Sequence, residues 1–177
     1  MDGPARILLE GRPGVGKTTL AGRVADELRA AGVPLTGFLT TELREGGRRI
    51  GFTAETFDGG RAILAHVDLP GPPRVGRYGV NLDAFDRIVL PALERVRDDQ
   101  VALLDELGKM ELASERFRAA VLNLFERAIS VVATVQAARH PFTDALKCRP
   151  DTEVVRVTKS SRDDLIGEVV SRLRGDS

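Results

Sequence analysis

Eight residues near the start of the chain, Gly11-Arg12-Pro13-Gly14-Val15-Gly16-Lys17-Thr18, satisfy the pattern G-x-x-x-x-G-K-[ST]. That pattern grips phosphate. Glycines let successive backbone amides turn inward as an anion nest, and a helix beginning at Lys17 adds the positive end of its dipole. Lys17 then supplies a point charge for β- and γ-phosphates, Thr18 offers a hydroxyl to Mg²⁺, and Thr19 supports the start of the helix. The candidate nucleotide contacts are therefore Gly11, Arg12, Pro13, Gly14, Val15, Gly16, Lys17, Thr18 and Thr19.

A second constellation lies downstream, where the apolar run Val101-Ala102-Leu103-Leu104 closes on Asp105-Glu106. A buried strand that ends this way delivers a carboxylate to a Mg²⁺ shell, so Asp105 joins Thr18 as an expected metal contact. Glu106 is the candidate base that orients or deprotonates an attacking water. Thr134 and Gln136 share one face of a later strand, from which a polar side chain can reach the γ-phosphate. A guanidinium forks onto phosphate oxygens and stays ionised, which makes Arg44, Arg77 and Arg139 candidates for stabilising transition-state charge. Spacing alone singles out none of them. Lys109 and Glu111 follow the carboxylates on an expected loop, where an ion pair, a helix entry or a catalytic role are all open. His66 and His140 have no partner at a zinc-like spacing.

These residues need a scaffold that brings them to one edge. Arg6-Ile7-Leu8-Leu9-Glu10 reads as a strand stopping at Gly11, followed by a helix from Lys17 to Ala31. Leu35 to Leu43, Arg49 to Phe57 and Arg61 to Val67 read as an antiparallel meander punctuated by Gly46-Gly47 and Gly59-Gly60. Asp68 to Asn81, with three prolines and three glycines, reads as a long irregular loop. Leu82, Phe85, Ile88, Val89, Leu93 and Val96 then recur at helical spacing, with Pro91 inside. Ser114 can cap a helix bearing Phe117, Val121, Leu124 and Phe125. Ser130 to Val135 and Glu153 to Val157 read as strands flanking a short helix around Thr143 to Lys147, and a final helix carries Leu165, Ile166, Val169, Val170 and Leu173. Apolar strands alternating with amphipathic helices predict an α/β three-layer sandwich around a mainly parallel sheet, with the meander extending one edge. One strand is expected to separate the phosphate-loop strand from the Asp105 strand, as in RecA-like P-loop ATPases.

The chain of 177 residues suits one domain spanning 1–177, and its 26 basic and 26 acidic residues give no global reason to bind nucleic acid or an acidic membrane. The lone Cys148 cannot close an internal disulfide, Met1 to Glu10 lacks the features of a signal peptide, and no apolar run spans a bilayer. The expectation is a cytoplasmic protein, acting as a monomer.

The run Leu104-Asp105-Glu106-Leu107-Gly108-Lys109-Met110-Glu111-Leu112, with Gly11 to Thr19, resembles the thermophilic-type nucleoside triphosphate phosphohydrolases, relatives of human cancer-related nucleoside-triphosphatase. Further resemblance lies in Gly37-Phe38 through Phe52, in Arg74 to Val80, in Val157-Thr158 and in Arg162-Asp163, so it covers nearly the whole chain. It implies a RecA-like fold and Mg²⁺-dependent hydrolysis of several nucleoside triphosphates, ATP and GTP among them, to diphosphate and phosphate. Similar proteins often carry Asn where Ser161 stands. With the resemblance singling out the Arg44 hairpin, and Arg77 in the glycine-rich loop, these two lead the arginine candidates for a catalytic role beside Lys17 and Glu106. Two other readings compete. A P-loop nucleotide or small-molecule kinase would use the same phosphate grip with a bound acceptor. A nucleotide-gated binding module would use hydrolysis to reset a partner.

Overall fold

The computed structural model describes residues 3–176; Met1, Asp2 and Ser177, at the ends of the expected 1–177 domain, lie outside the described residues, and with Met1 the start of the segment read for a signal peptide. A nine-stranded sheet runs through it, built from β1 (Arg6–Gly11), β2 (Leu35–Glu45), β3 (Arg48–Thr56), β4 (Arg61–His66), β5 (Arg74–Val75), β6 (Tyr78–Val80), β7 (Val101–Leu107), β8 (Ser130–Gln136) and β9 (Glu153–Arg156). Their order across the sheet is β5-β6-β4-β3-β2-β7-β8-β1-β9. The helices are α1 (Lys17–Ala30), α2 (Leu82–Glu94), α3 (Glu115–Glu126), α4 (Pro141–Lys147) and α5 (Leu165–Arg174).

Alternation along the strands divides the core in two. Leu8, Ala102, Leu104, Val131 and Ala133 face one apolar cluster with Phe85 and Val89 of α2 and Phe117 and Val121 of α3. Ile7, Leu9, Val101, Leu103 and Val132 face the other, with Leu20, Val24 and Leu28 of α1 and Val169 and Leu173 of α5. The sheet thus has a helical layer on each face, with Phe38, Phe85 and Phe117 packed edge to face in the first.

The expectation of a mainly parallel sheet needs correction, because the sheet is mixed. β2-β7, β7-β8, β8-β1 and β1-β9 pair in parallel, whereas β2-β3, β3-β4, β4-β6 and β6-β5 pair antiparallel. The cause is the length of β2, which lies parallel to β7 through Leu35–Phe38 and then continues antiparallel to β3 as far as Glu45. The irregular loop after β4 also holds more order than its prolines suggest. Arg74–Val75 and Tyr78–Val80 add two short strands to the meander, too brief to leave a period-two signature. Elsewhere the elements follow the sequence closely: Ser114 Oγ accepts the Phe117 amide hydrogen bond at 3.1 Å as the cap of α3. Among the described residues no helix is long and apolar enough to cross a membrane.

Candidate active site

The loop from Gly11 to Gly16 joins β1 to α1, and its geometry follows from its glycines. Gly14 and Gly16 hold φ values of +82° and +96°, a region that L side chains rarely enter. Gly16 is the N-cap of α1, and no side chain caps the first turn, whose amides are left for a ligand. Lys17 is buried, and its Nζ donates to the Gly11 and Arg12 carbonyls at 2.9 and 3.2 Å. Burial pulls its ammonium below the ordinary lysine value, with Glu106 and then Asp105 opposing that shift.

Asp105 has no exposed surface, yet every acceptor direction is used. Its Oδ1 accepts from Thr134 Oγ1 at 2.7 Å and from Thr18 Oγ1 at 3.2 Å. Its Oδ2 accepts from the Thr40 amide at 3.3 Å and from Thr40 Oγ1 at 3.2 Å. Thr40, Asp105 and Thr134 come from the adjacent strands β2, β7 and β8. Burial raises the Asp105 carboxyl, and these hydrogen bonds, led by Thr134, act against it. Glu106 faces the cavity instead, its Oε1 accepting from Gln136 Nε2 at 2.8 Å. Burial raises its carboxyl too, while Gln136 and Lys17 favour the charged form.

These groups surround a cavity of about 850 Å³. Pro13, Gly14, Gly16, Lys17, Thr18 and Thr19 form the phosphate-loop side, and Glu106 and Gln136 come from the sheet edge. Gly11, Arg12 and Val15 support the loop from behind: the first two lend carbonyls to Lys17, and Val15 packs on the α1 core. Thr134 turns to Asp105, leaving Gln136 as the polar side chain of β8 in the cavity.

The structure does not bring the leading arginine candidates to the cavity. Arg44 is exposed and paired with Glu42 at 2.7 Å. Arg77 lies against the Tyr78 ring and donates to the Arg49 carbonyl. Arg139 is almost fully exposed and pairs with Asp144. The guanidiniums that do line the cavity belong to Arg49 and Arg162. Arg49 is the cross-strand partner of Arg44, and of the two only Arg49 lines the cavity. Arg162 lies so close to the loop that a Cβ on Gly16 would sit 2.5 Å from its Nη1. The signal for it was its place in the Arg162-Asp163 segment. Thr40 has no motif to mark it in the sequence; its one signal is the Thr40-Thr41 step that follows Phe38-Leu39 in β2. His140 caps α4, its Nδ1 accepting from the Phe142 amide at 3.2 Å.

Residues 6–170 match the family model described as NTPase. The chain belongs to this NTPase family. Nucleoside-triphosphatase THEP1 of Thermotoga maritima is 42% identical over 170 residues, covering 96% of this chain and 95% of that protein. The human cancer-related nucleoside-triphosphatase is 37% identical over 183 residues, covering 93% and 94%. The crystal structure of THEP1 from Aquifex aeolicus superposes on this member of the NTPase family with a TM-score of 0.84 at 32% identity, covering 95% of this chain and 98% of that one.

Proposed function

We propose that the chain is a Mg²⁺-dependent nucleoside-triphosphatase that hydrolyses ATP, GTP and other nucleoside triphosphates to diphosphate and phosphate, on a RecA-like P-loop scaffold. Membership of the NTPase family supports the activity, and β8 standing between β1 and β7 supports the RecA-like arrangement. The observation that carries the reading is the split of duties between adjacent carboxylates. Asp105 is sealed among hydroxyls including Thr18, while Glu106 is turned into the cavity that Lys17 also lines.

Among the described residues no group of three or more His, Cys, Asp or Glu side chains forms a metal cage. The donor set fits Mg²⁺ nonetheless, because that ion keeps waters and phosphate oxygens and needs only a carboxylate and a hydroxyl from the protein. Thr18 and Asp105, 3.2 Å apart, would hold it. When bound it neutralises charge on the phosphate oxygens. The loop amides and Lys17 grip the triphosphate. Glu106, steadied by Gln136, takes a proton from water as the water oxygen bonds to the γ-phosphorus and the bond to the β-bridging oxygen breaks. Arg49 and Arg162 take the charge-stabilising role expected of Arg44 and Arg77.

Phosphate release from ATP, GTP, CTP and UTP, with and without Mg²⁺ and with no added acceptor, tests the reading. We expect release from all four only with Mg²⁺, with kcat/KM values spread by less than about 100-fold. An apolar wall of Phe52 and Val75 from the meander and Met110 from the segment after β7 favours a kinase, since it could seat an organic acceptor. Absence of phosphate release together with transfer to an added nucleoside monophosphate would support that reading.

Two variants separate roles within the site. Asp105→Asn should raise the Mg²⁺ concentration needed for half-maximal activity by at least about tenfold, with excess Mg²⁺ restoring much of kcat. Insensitivity to Mg²⁺ would remove Asp105 from the metal shell. Arg49→Ala should lower kcat by at least about tenfold, whereas Arg44→Ala should stay within about twofold. The reverse pattern would return the role to Arg44.

A further inference from the structure

Glu111 is a buried titratable group that the proposed chemistry leaves unused. It opens the 3-10 turn Glu111–Ala113 after β7 and is only 5% exposed. Its Oε2 accepts from the Gly108 amide at 3.2 Å, and the Leu112 amide donates to the Gly108 carbonyl at 2.9 Å. Both polar backbone groups of Gly108 are thus held by the turn that Glu111 starts. Gly108 in turn is the surface over which the Glu106 side chain lies. A Cβ built there would stand 2.6 Å from Glu106 Oε1, 3.2 Å from its Cγ and 3.1 Å from Glu111 Oε2. The missing side chain of Gly108 therefore makes room for two carboxyl groups at once.

We propose that Glu111 is a positioning residue for the hydrolytic reaction: by fastening the Gly108 amide it fixes the floor that aims the Glu106 carboxylate into the cavity. The inference rests on Glu106 being the base. It explains why a carboxyl group is kept in a place where burial disfavours it. A displacement of about 1 Å in a reacting group can cost roughly 100-fold in rate, so a tether of this kind has a measurable consequence.

The positioning also has a pH limit, set by repulsion between carboxylates and not by loss of the tether. Burial pushes the Glu111 carboxyl up to about 8, with Glu106 and then Asp105 adding to the shift and the backbone amides of Glu111 and Gly108 opposing it. Below that value the protonated form predominates; above it the carboxyl ionises, which strengthens its bond from the Gly108 amide but sets a negative charge against Glu106, and that repulsion disturbs the aim of the base. The charged groups near it are Glu106 and Asp105 on β7, Lys109 between β7 and the turn, Asp86 on α2, which Ser114 engages, and Arg118 on α3, which reaches the Leu112 carbonyl. None of them forms an ion pair with it among the described residues.

The test uses the full chain with Mg²⁺ and ATP, comparing Glu111→Ala, Glu111→Gln, Gly108→Ala and Glu106→Gln. Turnover is followed by phosphate release across pH, and affinity by titration with a fluorescent ATP analogue. Glu111→Ala should lose about 10- to 100-fold in kcat with less than about threefold change in Kd. Glu111→Gln keeps an acceptor for the Gly108 amide and should stay within about threefold of the parent at neutral pH, but without the decline in kcat above about pH 8. Gly108→Ala should lose kcat as Glu111→Ala does, and it carries the test if the latter fails to fold. A Glu111→Gln variant as impaired as Glu111→Ala overturns the proposal, as does full kcat in Glu111→Ala or Gly108→Ala. If Glu106→Gln loses kcat while those two keep it, positioning by Glu111 fails alone; if Glu106→Gln keeps kcat, the base assignment fails and the positioning role with it.

Discussion

Lys17→Ala is expected to abolish turnover, leaving kcat/KM for any nucleoside triphosphate at least about 10³-fold below the parent. The side chain is the buried cation of the phosphate loop, held beside Gly11 and Arg12 by hydrogen bonds of 2.9 and 3.2 Å to their carbonyls. Exchanging those carbonyls for phosphate oxygens replaces neutral acceptors with charged ones, roughly doubling the strength of each bond. Alanine removes that gain and leaves the loop shape, which Gly14 and Gly16 set through their positive φ values. The fold should therefore survive. A melting curve within a few degrees of the parent, beside lost phosphate release and weakened nucleotide binding, is the expected combination. Parent-like kinetics would remove Lys17 from the phosphate grip.

Glu106→Gln should separate binding from chemistry. The amide keeps the length of the side chain and an oxygen that can still accept from Gln136, so the cavity wall persists. It cannot accept a proton from water. General-base contributions run from about 10²- to 10⁴-fold, and kcat should fall within that range while the nucleotide Kd moves by less than about threefold. No concentration of Mg²⁺ should restore it, in contrast to Asp105→Asn. The pH profile gives an independent reading. Burial raises the Glu106 carboxyl above its ordinary value, and the base works only when ionised, so parent kcat should fall as pH drops through that raised value. Glu106→Gln should lack this acid limb in its residual activity. A variant with parent kcat would mean that the phosphates themselves position the water.

Both predictions concern residues that the sequence announces, and the reason is physical. A phosphate nest needs consecutive amides, glycine at the turns and a cation at the start of a helix, all within eight neighbouring residues. The Asp105-Glu106 pair is equally local, because an apolar run of four residues marks the buried strand that carries it. Alternating strands and amphipathic helices likewise disclosed an α/β fold, since each element reports its buried face through its own period.

What the sequence could not rank was which distant side chains meet. Thr40 lies 65 positions from Asp105 and Thr134 lies 29 from it, yet all three converge because β2, β7 and β8 are neighbours in register at Phe38, Leu104 and Ala133. Arg49 rather than Arg44 lines the cavity although the two are cross-strand partners, because Arg44 is held at the hairpin end by Glu42 and the Gly47 carbonyl while Arg49 is held by Tyr78, a contact made only once β6 joins the sheet. Glu111 reads in sequence as a loop residue open to an ion pair, a helix entry or a catalytic role, and only the tertiary packing makes it a buried carboxyl fastened to Gly108. Local chemistry and period are written in neighbouring residues. Convergence, burial of charge and the choice between cross-strand partners depend on long-range register, which the tertiary structure alone supplies.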